Sequence, residues 1–382
     1  MKEKLKAAFV EQYNTEPLIV RSPGRVNIIG EHTDYNEGFV LPAAIDKSIY
    51  AAISKRGDYK LGLYALNYNE TIECNMEDIR PSKSWSTYIM GVTDQLLKKG
   101  CRISGFNIAV DGDVPLGAGL SSSAALECSV LFALNELFSL GLSKMDMILI
   151  AQKAEHAFAG VKCGIMDMFA SMHGREGHVM KLDCRSLEHE YVPLKMDGYS
   201  LVLFNTNIQH SLASTAYNER RQQCEQGVAW IRERWPAVNS LRDADVSMLR
   251  TAVKKQDELV YRRCLYVVQE IQRLEEACED LKAGNLQALG QKMFLTHRGL
   301  SKEYEVSCKE LDLLVDSVIG RKEVLGARMM GGGFGGCTIN IIRNDAVEQL
   351  SGETAAVYKK LTGIDMSTIV VKTSGGTEKL SA

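Results

Sequence analysis

The sequence feature that most constrains the fold is the segment at residues 115–126, which reads PLGAGLSSSAAL. Its glycines suit a tight turn, and its serines stand at the start of a stretch, 123–140, in which apolar residues recur at helical spacing. Backbone N–H groups at the start of a helix lack partners and carry about half a positive charge, so they can bind phosphate oxygens. The segment therefore predicts either a phosphate site, with a serine hydroxyl sharing Mg²⁺, or a plain serine-capped helix.

This segment differs from two common nucleotide-binding motifs. No lysine follows a GxxxxG spacing, which excludes a Walker A loop, and a serine replaces the last glycine of the dinucleotide-binding fingerprint. A literal GxGxxG occurs at residues 331–336, but it precedes a strand-like stretch, CTINII, late in the chain. We interpret residues 331–336 as a loop whose glycines let the backbone approach another part of the molecule.

A second polar segment, residues 24–36, reads GRVNIIGEHTDYN and places an arginine, two carboxylates and a histidine close together. Carboxylate and imidazole groups can share hydrogen bonds with several hydroxyls at once, which is how a site distinguishes one sugar from its epimers. A charged and solvated hairpin turn would have a similar composition. The residues alone leave both interpretations open.

Length and composition limit the class of protein. A chain of 382 residues suggests two domains, and 45% hydrophobic with 24% charged residues is typical of a globular protein. The formal net charge of -3 lacks the positive excess of nucleic-acid-binding proteins. The sequence shows neither a secretory signal nor an apolar run of about 18 to 20 residues. We therefore expect a cytoplasmic monomer with reduced thiols and without nucleic-acid or membrane partners.

Hydrophobic periodicity predicts a mixed order of strands and helices. Alternation predicts strands before any helix, and again near the end of the chain, over residues 18–29, 49–54, 60–66, 106–110, 337–342 and 367–372. Helical spacing predicts helices over residues 123–140, 145–158, 216–235 and 258–282. This order is neither a regular βαβ repeat nor all-helical, so it predicts an α+β fold. We place the boundary near residues 185–197, which gives lobes 1–190 and 191–382.

Both polar segments resemble motifs of one protein family. Residues 24–36, followed by GFVLP, closely resemble the galactokinase signature, and PLGAGLSSSAAL resembles the phosphate-binding motif of the GHMP kinase superfamily. The resemblance continues in the family's order through AEHAFAGVKCGIMD at 154–167, LDCRSLE at 182–188, HSLASTAYNERR at 210–221 and MMGGGFGGC at 329–337. It implies a two-lobed GHMP kinase fold with mixed β-sheets and helices, and an active site in the cleft between the lobes.

The resemblance also implies a reaction and the residues that perform it. The reaction would move the γ-phosphate of MgATP to the C1 hydroxyl of galactose, with Asp167 as the base and Arg25 steadying the transferring phosphoryl group. The implied sugar contacts are Glu31, His32, Thr33, Asp34 and Tyr217. The implied contacts to the ATP phosphates are Gly117, Ala118, Gly119, Leu120, Ser121, Ser122 and Ser123. The implied ligands of Mg²⁺ are Ser123 and Glu155.

Glu155 is also a candidate site residue independently of the family resemblance. It lies in an otherwise apolar stretch, where a carboxylate needs a partner. That partner is either a cation or, in the simpler alternative, Lys153 or solvent. The chain departs from the usual family pattern at residues 168–170, behind Asp167, and at residues 206–209, beside the expected sugar pocket.

Two other functions are compatible with these motifs. A sibling kinase for N-acetylgalactosamine, arabinose or galacturonate would keep the same signature, because pocket size at C2 and C6 can change without it. A catalytically silent galactose sensor would bind sugar and ATP without transferring phosphate, and loss of residues in the serine motif would favour it. The three serines 121–123, Arg25 and Asp167 are all present, which favours an active kinase.

Overall fold

A computed structural model describes residues 1–209 and 213–381 of the chain. The strands are β1 (Leu18–Asn27), β2 (Phe39–Val40), β3 (Pro42–Lys55), β4 (Lys60–Ala65), β5 (Glu70–Asn75), β6 (Phe106–Gly112), β7 (His178–Asp183), β8 (His189–Pro193), β9 (Tyr199–Gln209), β10 (Val324–Met329), β11 (Gly335–Arg343), β12 (Ser367–Val371) and β13 (Glu378–Lys379). The α-helices are α1 (Lys2–Tyr13), α2 (Ser86–Lys98), α3 (Ser122–Phe138), α4 (Lys144–Ala154), α5 (Met166–His173), α6 (Ala213–Arg232), α7 (Val246–Met248), α8 (Glu258–Lys282), α9 (Leu286–Arg298), α10 (Lys309–Asp316) and α11 (Val347–Thr362).

The first sheet has six strands in the order β13-β1-β3-β6-β4-β5. Strands β4 and β6 are parallel, and the other neighbours are antiparallel. Successive side chains of a strand point to opposite faces of the sheet. Ile19 packs on helix α1, where Leu5 and Phe9 are fully buried. Val20, on the other face, belongs to the apolar cluster that includes residues of α3 and α5. Helices therefore cover both faces of this sheet.

The second sheet, β10-β11-β9-β12, is antiparallel, and a third, smaller sheet has the order β2-β7-β8. One apolar cluster joins the two halves of the chain, since Val26 and Ile28 pack in it together with Leu203, Leu274 and Ile339. Burial of such side chains stabilises the folded state by about 1.5–3 kcal/mol each. This shared core fixes the segment after β1 against helix α8 and the second sheet.

The predicted α+β class is confirmed, and α8 spans Glu258–Lys282 as predicted. The expectation that strands precede any helix is wrong, because α1 precedes β1 and α2 precedes β6. In α1 only Leu5 and Phe9 are buried, so its apolar stripe is too narrow to stand out among the surrounding charges. In α2, Gly91 and Thr93 are poor helix formers that are buried in the tertiary structure.

The division into lobes 1–190 and 191–382 stays a prediction. Strands β1 to β8 form the six- and three-stranded sheets, and β9 to β12 form the four-stranded sheet. The last strand crosses this division, because Lys379 of β13 pairs with Val20 of β1. The end of the chain thus returns to the sheet in which it began.

None of the helices in residues 1–209 and 213–381 combines the length and apolarity needed to cross a membrane. The longest of them, α8, has 25 residues and packs against α6 and α9. Its buried face includes Leu274, which also contributes to the core that joins the two halves. Helix α8 is therefore an amphipathic helix of the protein interior.

Candidate active site

A cavity of about 490 Å³ lies where segments from both halves of the chain meet. The predicted non-glycine site residues that line it are Arg25, Glu31, His32, Asp34, Ser123, Glu155, Asp167 and Tyr217. Two residues of segment 115–126, the glycine–serine segment, line it as well: Gly117 and Gly119. So do three residues of the loop 331–336, the late glycine loop: Gly331, Gly332 and Gly333. The fold thus brings together residues that are widely separated in the sequence.

Five other predicted residues do not line this cavity: Thr33, Ala118, Leu120, Ser121 and Ser122. The Thr33 hydroxyl donates hydrogen bonds to the carbonyl oxygens of Gly30 at 2.9 Å and Phe39 at 2.5 Å. Ala118 and Leu120 are buried in the core that joins the two halves. Thr33 therefore supports its own loop, although the sequence predicted it as a contact with the sugar.

Arg25 and Asp167 form a two-pronged ion pair that lines the cavity. Arg25 follows an irregularity in the pairing of β1 with β3, and Asp167 is in the first turn of α5. The Arg25 Nε donates to Asp167 Oδ1 at 2.8 Å and its Nη2 donates to Oδ2 at 2.9 Å. The Ser121 hydroxyl donates to Oδ2 at 2.5 Å, and Arg25 Nη1 donates to the Gly119 carbonyl. This geometry fixes the orientation of the carboxylate and links it to the glycine–serine segment.

A second ion pair, between Glu31 and Arg328 of β10, lies deeper in the protein. The Arg328 side chain is fully buried, and both of its terminal nitrogens donate to Glu31 Oε1 at 3.1 Å. Arg328 also donates to the carbonyl oxygens of Asn27 and Ile28, and the Gly331 N–H donates to Glu31 Oε1 at 2.8 Å. Oε1 of Glu31 therefore accepts three hydrogen bonds, and Oε2 accepts none from the described residues.

Helix α8 adds further contacts to the same segment. The Gly30 N–H donates to Glu270 Oε1 at 2.8 Å, and the Tyr266 hydroxyl donates to the Glu31 carbonyl oxygen at 3.1 Å. Glu270 is fully buried and also accepts from the Thr296 hydroxyl. Buried polar groups of this kind are stable only when they are paired, so each contact constrains the path of the backbone after β1.

Asp34 and His32 face the cavity in unusual surroundings. Burial, together with the nearby Asp167 carboxylate, raises the pKa of Asp34 to about 7. A Cβ atom added at Gly164 would lie 1.8 Å from Asp34 Oδ2, so only glycine permits this close approach. His32 has a left-handed backbone with φ of 63°, which is rare for a residue with a side chain.

Ser123 and Glu155 form the candidate cation site. Glu155 begins a π-helical turn, Glu155–Ala159, that follows α4, so the helix predicted over 145–158 ends earlier than expected. The Ser123 hydroxyl donates to Glu155 Oε1 at 3.0 Å, and the Cys163 thiol donates to Oε2 at 3.6 Å. The partners are thus neither Lys153 nor bulk solvent, which were the simpler alternatives. Burial and the Asp167 carboxylate raise the pKa of Glu155 to about 7.

This environment fits a divalent cation. A hydroxyl and a carboxylate are oxygen ligands of the kind that Mg²⁺ prefers, and the positive charge of Arg25 does not offset the effects of burial and of Asp167 on the Glu155 carboxylate. Within the described part of the chain, no cluster of three or more His, Cys, Asp or Glu side chains could hold a metal ion. The protein therefore offers a partial coordination shell, which suits a cation that arrives with substrate phosphates and water.

A second cavity, of about 620 Å³, adjoins the first and was not predicted from the sequence. Trp85, Tyr88 and Phe158 line it, and Tyr88 and Ser123 line both cavities. Ser122 also lines the second cavity. The only sequence signal was the pair of aromatic residues at the start of α2, which by themselves indicate packing as readily as binding.

The late glycine loop packs directly on the glycine–serine segment. A Cβ atom added at Gly336, which has φ of 80°, would lie 3.3 Å from the Ala118 backbone. The Thr206 hydroxyl donates to the Gly336 carbonyl at 2.8 Å, so part of the divergent stretch 206–209 supports this loop. The interpretation of residues 331–336 as a backbone-approach loop is confirmed.

The remaining sequence observations lie behind the cavity or outside the described residues. Met168 and Phe169, which depart from the family pattern, are buried in the core of the first half. The stretch 210–221 continues into α6, which carries Tyr217 to the cavity. Residues 210–212, the first three of that stretch, lie outside the described residues.

The fold and the glycine–serine segment define a class of kinase. The GHMP kinases N terminal domain matches residues 87–175, and the GHMP kinases C terminal domain matches residues 277–360. The crystal structure of a Methanococcus jannaschii mevalonate kinase superimposes with a TM-score of 0.66 at 17% identity, over 94% of this chain and 99% of that one. At this identity the likeness shows the fold alone, which is the GHMP kinase fold.

Closer relatives narrow the assignment. The galactokinase galactose-binding signature matches residues 7–55. The chain is 40% identical to galactokinase from Thermotoga petrophila, over 94% of this chain and 99% of the relative, and 38% identical to galactokinase from Clostridium perfringens, over 98% and 99%. The crystal structure of Lactococcus lactis galactokinase complexed with galactose superimposes with a TM-score of 0.95 at 33% identity, over 99% of this chain and 100% of that one. The chain belongs to the galactokinase family and is an ATP-dependent sugar kinase.

The buried Arg328–Glu31 pair leads to a prediction about stability. Arg328→Met should lower the free energy of unfolding by about 3–5 kcal/mol, because it leaves the buried Glu31 carboxylate without its positively charged partner and removes a donor from two carbonyl groups. Urea unfolding measures this change. The matched control is Arg343→Met on β11, which removes an exposed arginine paired with Asp345 and should cost at most about 1 kcal/mol.

A double variant sharpens this test. Adding Glu31→Gln to Arg328→Met removes the uncompensated charge, so part of the lost stability should return. Equal unfolding free energies for Arg328→Met and Arg343→Met would show that the buried pair does not stabilise the fold.

Proposed function

We propose that this kinase transfers the γ-phosphate of MgATP to the C1 hydroxyl of α-D-galactose, giving galactose 1-phosphate and ADP. The observation that carries the proposal is the position of Asp167, which Arg25 and Ser121 fix beside both the polar cavity and the glycine–serine segment. Membership of the galactokinase family supports galactose as the sugar.

The polar cavity has the groups needed to recognise a sugar. We propose that Glu31, His32, Asp34 and Tyr217 contact the hydroxyl groups of galactose. When ionised, the carboxylates accept hydrogen bonds but cannot donate them, so in that state they select for hydroxyl hydrogens at fixed positions. A site built in this way rejects an epimer because the misplaced hydroxyl leaves a buried polar group unpaired.

We propose that Asp167 is the general base and that Arg25 stabilises the transferring phosphoryl group. The carboxylate would accept the proton of the sugar hydroxyl as its oxygen attacks phosphorus, a contribution of about 10²–10⁴ in rate. The guanidinium, already fixed against Asp167, would stabilise negative charge on the phosphoryl oxygens. Because the transition state of phosphoryl transfer is loose, positioning and charge neutralisation supply most of the remaining acceleration.

We propose that ATP occupies the second cavity and extends its phosphates over the glycine–serine segment. The aromatic side chains of Trp85 and Tyr88 offer flat surfaces to the base, and Gly117 and Ser123 line both cavities. The backbone N–H groups at the start of α3 would bind the phosphate oxygens there. This arrangement directs the γ-phosphate toward the Arg25–Asp167 pair.

Ser123 and Glu155 would hold Mg²⁺, because both supply oxygen atoms and the Glu155 carboxylate is buried with a raised pKa. When bound, Mg²⁺ would neutralise negative charge on the transferred phosphoryl group and on the ADP leaving group. The role of this chain's residues is to keep the Glu155 carboxylate beside the serine hydroxyl before the substrate arrives. Without a cation, burial of the ionised Glu155 carboxylate would cost free energy, so a bound cation would stabilise the site.

We propose that residues 1–190 and 191–382 act as two lobes of a monomer that works in the cytoplasm. Both lobes contribute to the cavity, since Arg25 and Asp167 lie in the first lobe and Tyr217 lies in the second. The described cysteines are all free thiols, which suits a reducing compartment.

An assay of ADP release with MgATP and a panel of sugars tests the proposed function. The panel contains galactose, N-acetylgalactosamine, arabinose, galacturonate, glucose and a control without sugar. Galactose should give the highest kcat/KM. A higher value for another sugar would overturn the choice of substrate, and no release above the control, with measurable galactose binding, would indicate a silent sensor.

The role of Asp167 gives a second prediction. Asp167→Asn removes the proton acceptor and keeps the size of the side chain, so kcat should fall by about 10²–10⁴ while galactose still binds. Steady-state kinetics and calorimetric titration with galactose separate these effects. The control is Asp365→Asn, an exposed aspartate paired with Lys359, which should leave kcat unchanged. A kcat near the wild-type value in Asp167→Asn would rule out the assignment of the base.

The role of Glu155 gives a third prediction. Glu155→Gln removes the charge from the candidate cation site, so the Mg²⁺ concentration that gives half-maximal rate should rise about tenfold or more. The rate is measured against free Mg²⁺ at saturating galactose and ATP. The control is Glu225→Gln, on the surface of α6, where Glu225 pairs with Arg221. An unchanged Mg²⁺ dependence in Glu155→Gln would exclude Glu155 as a ligand.

A further inference from the structure

A chain of hydrogen bonds leads from the sugar cavity into the core of the second half. His32 Nδ1 lies 2.7 Å from the Tyr35 hydroxyl, which lies 2.8 Å from the Tyr304 hydroxyl. The Tyr304 hydroxyl lies 3.3 Å from the Cys224 thiol. His32, Tyr304 and Cys224 are buried, so their hydrogen bonds depend on neighbouring protein groups, which for Cys224 also include Asn36 and Cys264. The mechanism above uses only the first of the four side chains.

The imidazole of His32 is neutral in these surroundings. Burial lowers the pKa of His32 to about 3, the positive charge of Arg220 acts in the same direction, and the Gly332 backbone opposes the shift. A neutral imidazole has one nitrogen that donates and one that accepts, and the partner of one nitrogen decides the role of the other. The Nε2 atom makes no hydrogen bond within the described part of the chain.

The donors and acceptors of this hydrogen-bond chain can be arranged in two directions, and the strength of the acceptors favours one of them. If Tyr35 donates to His32 Nδ1, then Tyr304 donates to Tyr35 and the Cys224 thiol donates to Tyr304. Each group then donates once, and no sulfur atom has to accept. In the reverse direction the hydrogen-bond chain ends with a hydroxyl donating to sulfur, a weak acceptor, and the Cys224 thiol has to donate to Asn36 or Cys264 instead.

We propose that Tyr35, Tyr304 and Cys224 are positioning residues that fix His32 as the Nε2-protonated tautomer, so that the imidazole presents a hydrogen-bond donor to a sugar hydroxyl. The role toward the sugar rests on the proposed function, whereas the tautomer itself does not. The rings of Tyr217 and Tyr304 lie 5.2 and 5.0 Å from the imidazole centroid, which limits rotation of the ring.

The tautomer matters because the neighbouring groups are acceptors when ionised. Glu31 and Asp34 line the same cavity as His32. A sugar hydroxyl that donates to a carboxylate still has lone pairs to satisfy, and an Nε2–H group can donate to that oxygen. With the other tautomer, Nε2 would be one more acceptor, and the hydroxyl oxygen would lose this donor. The tautomer thus selects for a group that both donates and accepts.

The first test reads the tautomer directly in the ligand-free protein. Long-range ¹H–¹⁵N spectra of protein labelled with ¹⁵N-histidine distinguish a protonated from an unprotonated ring nitrogen, and His32→Asn assigns the signals. The expected result is a protonated Nε2 and a hydrogen-bonded, unprotonated Nδ1. A protonated Nδ1 would overturn the proposal. This measurement needs no sugar or ATP, so its outcome does not depend on whether the proposed function is correct.

The second test is kinetic and uses a matched tyrosine. Tyr35→Phe keeps the ring but removes the donor to Nδ1, so the KM for galactose should rise about 5- to 15-fold, with kcat and the KM for MgATP within about twofold. The control is Tyr358→Phe, which removes a buried hydroxyl that donates to the Thr206 carbonyl at 2.9 Å. It should lower the melting temperature without raising the KM for galactose.

Substitutions of Cys224, at the far end of the hydrogen-bond chain, should change the KM for galactose by smaller amounts in the same assays. Cys224→Ala removes the last donor, so it should raise the KM for galactose less than Tyr35→Phe does, and Cys224→Ser should restore the wild-type KM because a hydroxyl can donate in its place. An unchanged KM for galactose in Tyr35→Phe, or equal increases in Tyr35→Phe and Tyr358→Phe, would overturn the proposed positioning role.

Discussion

The buried ion pair between Arg328 and Glu31 determines how the two halves of this kinase meet. Arg328 belongs to the second half, yet it donates to the carbonyl groups of Asn27 and Ile28 and to the Glu31 carboxylate in the first half. Water could not replace these contacts, because the guanidinium is fully buried. The pair fixes the backbone just before His32, and the shape of the sugar cavity depends on that backbone. Buried charges of this kind are tolerated only where every partner is present.

The same logic applies to the reacting groups. Arg25 connects to the glycine–serine segment through the Gly119 carbonyl and to α5 through Asp167, so one guanidinium positions both the proposed base and the glycine–serine segment. The late glycine loop supports that segment from the other side, because Gly336 packs against Ala118. Positioning of this kind suits a reaction in which geometry and charge provide most of the acceleration.

The cavity also concentrates acidic groups. Glu31, Asp34, Glu155 and Asp167 all line it, and the raised pKa values of Asp34 and Glu155 show that their charges are incompletely balanced by the protein. Sugar hydroxyls would supply hydrogen-bond donors to some of these groups, and a magnesium ion would supply positive charge to others. Binding of the proposed sugar and metal ligands would thereby relieve buried negative charge, which agrees with the tendency of functional sites to have perturbed pKa values.

The sequence by itself determined the α+β class, the span of α8, the family and most of the residues that line the cavity, because glycine turns, helical periodicity and polar motifs act over a few neighbouring residues. It missed α1 and α2, whose signals are weak without tertiary packing. The aromatic cavity beside Trp85, the support role of Thr33, and the link from His32 to Tyr304 were decided by the tertiary structure alone. These features depend on contacts between residues far apart in the chain, and a local pattern carries no information about which distant side chain will fill a given space.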